Sequence, residues 1–245
     1  MRKLSGKTYW IVGASEGLGR ALAQKLSKAG CTLVLSARSA DSLQALADSL
    51  PGEARIVPCD VSDRDSVVRA AQELGEVDGL VFLAGVYWPF PATEWQPEQT
   101  EAMFDVNLTG AARVLGQVVP AMVKRGAGHI VITGSLSGYR GLPGSIGYSS
   151  SKAGLMHLAE SMHADLRGSG VDVQLASPGF IRTRLTDKND FKMPFLMEPD
   201  QAAEEMMQLM RSHKFQRAFP RLFSLVFRGG NFLPDWLYYR IFGAS

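Results

Sequence analysis

The 245-residue sequence predicts an α/β protein, built as a doubly wound parallel sheet with helices on both faces. Three observations predict it. Short apolar runs alternate with stretches of helical spacing along most of the chain. Short buried strands separated by helices imply parallel pairing covered on both sides. With 46% hydrophobic and 20% charged residues, the chain also has enough apolar material for a sizeable core. No repeat or low-complexity linker divides it. Residues 1–245 therefore read as one domain, with 221–245 as a basic amphipathic extension.

The elements follow in order. "TYWIVGA" (8–14) is an apolar run stopped by glycine, and "EGLGRALAQKLSKAG" (16–30) has helical spacing. "TLVLSA" (32–37) predicts a second strand, and "SADSLQALADSL" (39–50) a helix capped by Ser39. "ARIVPCDV" (54–61), "VDGLVFLAG" (77–85), "GHIVITGS" (128–135) and "VDVQLASPG" (171–179) supply four more strands. Helices are expected near 64–74, 98–124 and 148–168. A further helix begins near 199, followed by a short last strand near 215–219.

The net charge of +2 makes no case for nucleic acid. Its distribution is uneven. From Arg211 to Ser245 six basic residues face Asp235 alone, a net +5 that leaves −3 for the rest. Cys31 and Cys59 cannot make a disulfide framework and read as core packing. The four histidines form no cluster with metal-ligand spacing, so no metal is expected. The start "MRKLSGK" runs directly into the first strand, and no apolar run is long enough to span a bilayer. The expected compartment is the cytoplasm.

Ligands of such sheets bind beyond the carboxyl ends of the strands, so the residues at those ends matter most. The first strand ends in Gly13-Ala14-Ser15-Glu16-Gly17-Leu18-Gly19. Glycines there let the backbone turn tightly and approach a pyrophosphate, while the following helix offers free N–H groups. A tight strand–helix turn without a ligand would use the same glycines. The position, after the first strand and opening the first helix, is the one a dinucleotide site requires. The second strand ends "SAR". Arg38 suits a ribose 2′-phosphate, and neither Ala37 nor Arg38 repels one, so NADP(H) is favoured over NAD(H). Glu16 argues the other way by adding negative charge. Asp60, ending the third strand, can accept from an adenine amino group.

"GYSSSKAG" (147–154) places Tyr148 and Lys152 one helical turn apart, close enough for a cation to act on a phenol. Ser135 closes the strand "HIVITGS", and Asn107 sits in "QTEAMFDVNLTG", where an amide is a poor helix former. Singly, each has a bland reading as a strand-end cap or a local backbone bond. The ordered set of Gly13, Gly17, Gly19, Asn107, Ser135 and Tyr148-x3-Lys152 resembles the short-chain dehydrogenase/reductase family, over about residues 6–185.

The resemblance implies a Rossmann-like fold, an NAD(P)-dependent oxidoreductase and a catalytic set of Asn107, Ser135, Tyr148 and Lys152. It implies cofactor contacts from Gly13, Ser15, Gly17, Leu18, Gly19, Arg38, Asp60, Val61, Ala84, Gly85, Tyr148, Lys152, Pro178, Gly179, Ile181 and Thr183. In reduction Tyr148 donates a proton to the developing alkoxide, Ser135 holds the carbonyl oxygen, and Asn107 steadies a relay water near Lys152. Lys152 is expected to favour the phenolate and to bond the nicotinamide ribose. A homodimer or homotetramer is implied as well. Two departures stand out: Leu83 where the family usually has asparagine, and Val12 where it usually has threonine before Gly13.

On the substrate side, "RLTDKNDFKMPFLMEP" (184–199) carries Phe191, Met193, Phe195, Leu196 and Met197, which favours a hydrophobic carbonyl or alcohol. Simple packing of this loop on the core is the competing reading. Tyr139, Leu142, Pro143, Tyr87 and Trp88 are candidate walls. Residues 221–243 mix aromatics with arginines, which fits peripheral contact with a membrane, packing at a subunit interface or an extension of the substrate tunnel. Two further readings remain open: a non-catalytic NADP-binding regulatory protein, and a lipid-processing reductase at a membrane surface.

Overall fold

The computed structural model describes residues 1–190 and 192–243, so Phe191 of the substrate loop and the last two positions lie outside the described residues. The strands are β1 (Thr8–Val12), β2 (Thr32–Ser36), β3 (Ala54–Ile56), β4 (Gly79–Phe82), β5 (Gly128–Thr133), β6 (Val171–Pro178) and β7 (Gln216–Phe219). Among them run α1 (Gly17–Lys28), α2 (Ala40–Asp48), α3 (Arg64–Leu74), α4 (Pro97–Phe104), α5 (Gly110–Arg125), α6 (Ile146–Asp165) and α7 (Pro199–Arg211). Two short helices, α8 (Arg221–Gly230) and α9 (Asp235–Phe242), follow β7.

The strands pair in parallel in the order β3-β2-β1-β4-β5-β6-β7. The Rossmann-like doubly wound sheet predicted from the sequence is therefore present. Chain direction reverses its progress across the sheet between β1 and β4, which opens a crevice at their carboxyl ends.

Side chains alternate across a strand, and here both faces are buried. Tyr9 and Ile11 enter one apolar cluster with Leu22, Leu43 and Met206, from α1, α2 and α7. Trp10 and Val12 enter the other with Val67, Val114 and Leu155, from α3, α5 and α6. Burial of each such large side chain contributes about 1.5–3 kcal/mol before entropy is counted. Cys31 and Cys59 are buried free thiols, one in each cluster, as expected of core packing.

Two predicted elements differ in the structure. The third strand, expected over 54–61, is assigned only over Ala54–Ile56. Val57 and Cys59 still donate to the Leu35 and Ala37 carbonyls, but Pro58 between them has no N–H to offer. The helix expected over 98–124 is divided between α4 and α5 by a π-helical turn, Asp105–Thr109. That wider turn contains Asn107, whose side chain is fully buried.

Candidate active site

The glycine turn between β1 and α1 is tight for reasons internal to the protein. A Cβ on Gly13 would lie 2.6 Å from the Ala84 nitrogen, and one on Gly19 would lie 2.0 Å from the Gly13 carbonyl oxygen. Gly17 has φ +48°, and a Cβ there would press on Thr183 Cγ2 at 2.6 Å. Any larger residue would push β1 from the loop after β4, or α1 from β1. What suits the turn to a phosphate is the helix end. The N-cap position of α1 is Glu16, whose side chain makes no capping bond, so the first N–H groups are available to an anion. Ser15 is half-buried beside them, and Leu18 anchors the first turn in the core.

Glu16 does not stand as free negative charge at this turn. Its carboxylate is ion-paired with Arg184, a contact across 168 positions of sequence. Arg38, exposed after β2, has no ion-pair partner among the described residues. Asp60 Oδ1 accepts from Ser62 N at 2.9 Å and from Ser62 Oγ at 2.6 Å, a local turn that occupies one of its oxygens. Val61 is buried, and its carbonyl accepts from Arg113 at 3.0 Å.

Four predicted residues meet at the carboxyl ends of β4 and β5. Ser135 lies just beyond β5 and Tyr148 in the first turn of α6; the Ser135 hydroxyl accepts from Ser137 N at 3.2 Å and from Ser137 Oγ at 2.9 Å. Lys152, one turn along α6, is buried and donates from Nζ to the Thr133 carbonyl at 2.9 Å. Its Nζ lies 5.7 Å from the Tyr148 ring centroid. A Cβ on Gly85 would come within 3.7 Å of Nζ and 3.3 Å of Asn107 Oδ1, so the backbone after Ala84 lines the same space.

Asn107 braces this wall rather than facing open space. Its Oδ1 accepts from Val86 N at 2.8 Å, and Nδ2 donates to Val86 O at 3.1 Å and to Ser151 Oγ at 3.0 Å. Both amide hydrogens are thus committed to protein atoms.

Burial governs the ionisation of the central pair. It pushes the Tyr148 phenol up to about 12, with the nearby Ser135 hydroxyl opposing and the neighbouring Tyr87 adding to the rise. Burial also draws the Lys152 ammonium down to about 8. The downward pull of Lys152 on Tyr148, expected from their spacing, does not figure in the shift: Nζ is turned to the Thr133 carbonyl and burial dominates. In this arrangement Tyr148 is a protonated donor at neutral pH.

The remaining predicted contacts follow β6. Pro178 ends the strand, Gly179 N donates to Phe219 O at 2.8 Å, and buried Ile181 bridges to Met197. Thr183 touches Gly17 across the turn, as described above. Two buried hydroxyls, Thr133 Oγ1 and Ser177 Oγ, lack a hydrogen-bond partner among the described residues. Unspent polar groups at the ends of β5 and β6, an uncapped α1 and an unpaired Arg38 fit a dinucleotide laid across the switch point.

The substrate loop splits its roles. Met197 packs on the core, as the competing reading held, whereas Phe195 is exposed and stacks on Phe223 of α8 with centroids 5.2 Å apart. The loop is tied to the segment after β4. Asn189 accepts from Tyr87 Oη at 2.9 Å, Lys188 donates to the Tyr87 carbonyl at 2.7 Å, and Lys188 Nζ sits 4.4 Å over the Trp88 ring. A depression of about 460 Å3 beside Phe195, Leu196 and Pro220 includes none of the four residues around Tyr148.

Four contributors were not singled out in the sequence: Arg184 on Glu16, Ser151 on Asn107, Thr133 on Lys152, and Arg140. Arg140 donates to the Gly230 and Leu233 carbonyls at 2.7 and 2.8 Å, pairs with Asp235 and lies over the Tyr238 ring. Only Ser151 carried a local signal, its place inside the Tyr148-x3-Lys152 turn. The two departures are absorbed by packing: Val12 is buried in one apolar cluster, and Leu83 packs against the other.

Comparison with known proteins agrees with this geometry. The family model described as short chain dehydrogenase matches residues 7–193. An uncharacterized oxidoreductase of Myxococcus xanthus is 38% identical over 245 residues, covering 97% of each chain. A 3-oxoacyl-[acyl-carrier-protein] reductase of Thermotoga maritima is 34% identical over 193 residues, 76% of this chain and 78% of that protein. A short-chain dehydrogenase of Sphingobium yanoikuyae, solved in complex with NADPH, superposes with a TM-score of 0.82 at 25% identity, covering 88% of each chain. The chain belongs to the short-chain dehydrogenase family of NAD(P)-dependent oxidoreductases.

Proposed function

We propose that the protein is an NADP(H)-dependent oxidoreductase that interconverts a hydrophobic carbonyl compound and its alcohol, with Tyr148 as the proton donor. The observation that carries this reading is the gathering of Ser135, a protonated Tyr148 and buried Lys152 at the carboxyl end of β5, with Lys152 Nζ 5.7 Å from the Tyr148 ring centroid. Bound NADPH supplies the hydride; one carbonyl, one hydride and one proton give the alcohol and NADP+. Ser135 holds the carbonyl oxygen, Tyr148 delivers its proton there, and Lys152 keeps positive charge within reach as negative charge develops. Asn107 acts by fixing Val86 and Ser151, which hold the wall and the helix turn.

Arg38 supports NADP(H), since a guanidinium with no ion-pair partner among the described residues is free to meet a 2′-phosphate. The pairing of Glu16 with Arg184 removes the charge that argued against it. Apolar Phe195, Leu196 and Met193 on the substrate loop, with Tyr87 and Trp88 opposite, support a hydrophobic substrate. The Thermotoga relative is named for a 3-oxoacyl group on a carrier protein, and an acyl chain is one such compound. The same reading takes the chain as a single catalytic domain that assembles as a homodimer or homotetramer.

The non-catalytic alternative gives no role to a lysine buried against its own ionisation. The deciding experiment follows oxidation of NADPH with medium-chain 3-oxoacyl thioesters, apolar ketones and aldehydes, with Tyr148→Phe as control. Turnover that disappears in the variant supports the proposal. Cofactor binding without turnover of any class supports the alternative.

A further inference from the structure

We propose that α8 and α9 form a docking surface for an anionic lipid membrane. Both helices are apolar on the side they turn inward and also on the side they turn to solvent. Phe223, Phe227 and Gly230 of α8 turn inward, with Phe223 stacked on Phe195 and edge-on to Phe227. Leu222, Leu225 and Val226 turn outward at helical spacing. In α9, Tyr238 is buried against Gly230 and donates to the Gly141 carbonyl at 2.9 Å, while Trp236, Tyr239 and Ile241 face solvent. Phe232, in the connection, is 89% exposed, Leu222 73% and Trp236 68%. So much apolar surface in one segment marks an interaction face rather than scattered exposure.

Charge identifies the occupant. Exposed Arg221, Arg228 and Arg240 have no ion-pair partner among the described residues. Asp235, the one acid between 221 and 243, is already held by Arg140. A second copy of this chain meeting the face about a two-fold axis would set arginine against arginine with no carboxylate to answer it. An anionic bilayer answers both features: interfacial Trp and Tyr with Phe and Leu enter the headgroup boundary, and arginines meet lipid phosphates.

Arg140 makes the surface a fixed part of the fold. It clamps the α8–α9 connection and α9 to the segment that follows Ser135, while the Phe195–Phe223 stack joins α8 to the substrate loop. Docking therefore holds the loop next to the bilayer, a position suited to an apolar substrate drawn from lipid. That last consequence rests on the proposed function; the docking itself does not.

The test is co-sedimentation of the full chain with vesicles of phosphatidylcholine alone or mixed with phosphatidylglycerol. The proposal expects pelleting with the mixed vesicles only. High salt or Arg221→Gln/Arg228→Gln/Arg240→Gln should weaken it by at least about tenfold, at roughly 1 kcal/mol per arginine. Phe232→Ser/Trp236→Ser, or Leu222→Ser alone, should also reduce it, with circular dichroism and NADPH binding unchanged. Wild type left in the supernatant with mixed vesicles would overturn the proposal. So would Phe232→Ser/Trp236→Ser splitting an assembly in analytical centrifugation, which would make the face a subunit interface.

Discussion

Tyr87 and Tyr148 meet edge-on, with ring centroids 5.0 Å apart and planes inclined at 70°. Through its hydroxyl, Tyr87 also reaches Asn189, so one side chain touches both the proposed proton donor, Tyr148, and the loop proposed to face the substrate. Tyr87→Phe keeps the ring contact but removes the hydroxyl's tie to Asn189, a bond worth about 1 kcal/mol, and leaves Lys188 on the backbone carbonyl. The expected result is a rise in KM of about two- to fivefold with kcat nearly constant. Tyr87→Ala loses both and should lower kcat as well, since an aromatic pair contributes about 0.5–1.5 kcal/mol. Steady-state kinetics of the two variants separates loop tethering from placement of the donor.

Lys152 is held in the fold at a cost to stability. Its folded value of about 8 lies below the ordinary 10.5, so the folded state binds fewer protons than the unfolded state between those pH values. Stability from this group therefore rises with pH across that window, and the penalty is fully present below pH 8. Lys152→Met should raise Tm at pH 7 by roughly 4 °C while abolishing turnover, the gain limited because the Thr133 carbonyl loses its donor. Wild-type reduction should decline above about pH 8 as Lys152 loses its charge. Thermal melts at pH 7 and pH 10, beside a pH–rate profile, check both signs.

Arg184 and Arg38 act on different parts of the cofactor. Arg184→Ala frees the Glu16 carboxylate at the phosphate turn and should weaken NADPH and NADH alike, by about two- to fivefold for an exposed pair. Glu16→Gln in the same chain should restore both. Arg38→Ala should weaken NADPH alone. Equal losses for both cofactors in Arg38→Ala would remove the case for a 2′-phosphate contact.

Far from the active site, buried His129 hydrogen-bonds Tyr9 Oη through Nδ1 at 2.7 Å, with Arg2 and Gln174 at Nε2. Burial, helped by Arg2, holds it down at about 4 against an ordinary 6.5. The unfolded chain binds more protons between those values, so stability should fall as pH drops from 6.5 towards 4. His129→Gln should flatten that slope. Melting temperatures of the two proteins across the window measure it.

The fold was legible because β1 and its neighbours are short apolar runs that alternate with amphipathic helices, and local pattern decides both. The limits of β3 were less so, since one proline in a still-bonded segment changes the ladder without changing its apolar character. The π-helical turn at Asn107 was hidden because its partners, Val86 and Ser151, lie 21 positions before and 44 after it. At the site, spacing brought out Tyr148 and Lys152, but where Nζ points depends on the Thr133 carbonyl, a tertiary contact. Arg184 and Arg140 escaped for the same reason: an arginine in a loop reads as solvated until its distant partner is known.

The most direct test of the account is titration of NADPH and NADH into wild type and Arg38→Ala, followed by fluorescence. Wild type should bind NADPH more tightly than NADH, and Arg38→Ala should lose this preference while keeping its affinity for NADH. Failure of the wild type to bind either cofactor would contradict it, and would turn attention to Val12 and Leu83 as the residues that closed the cleft.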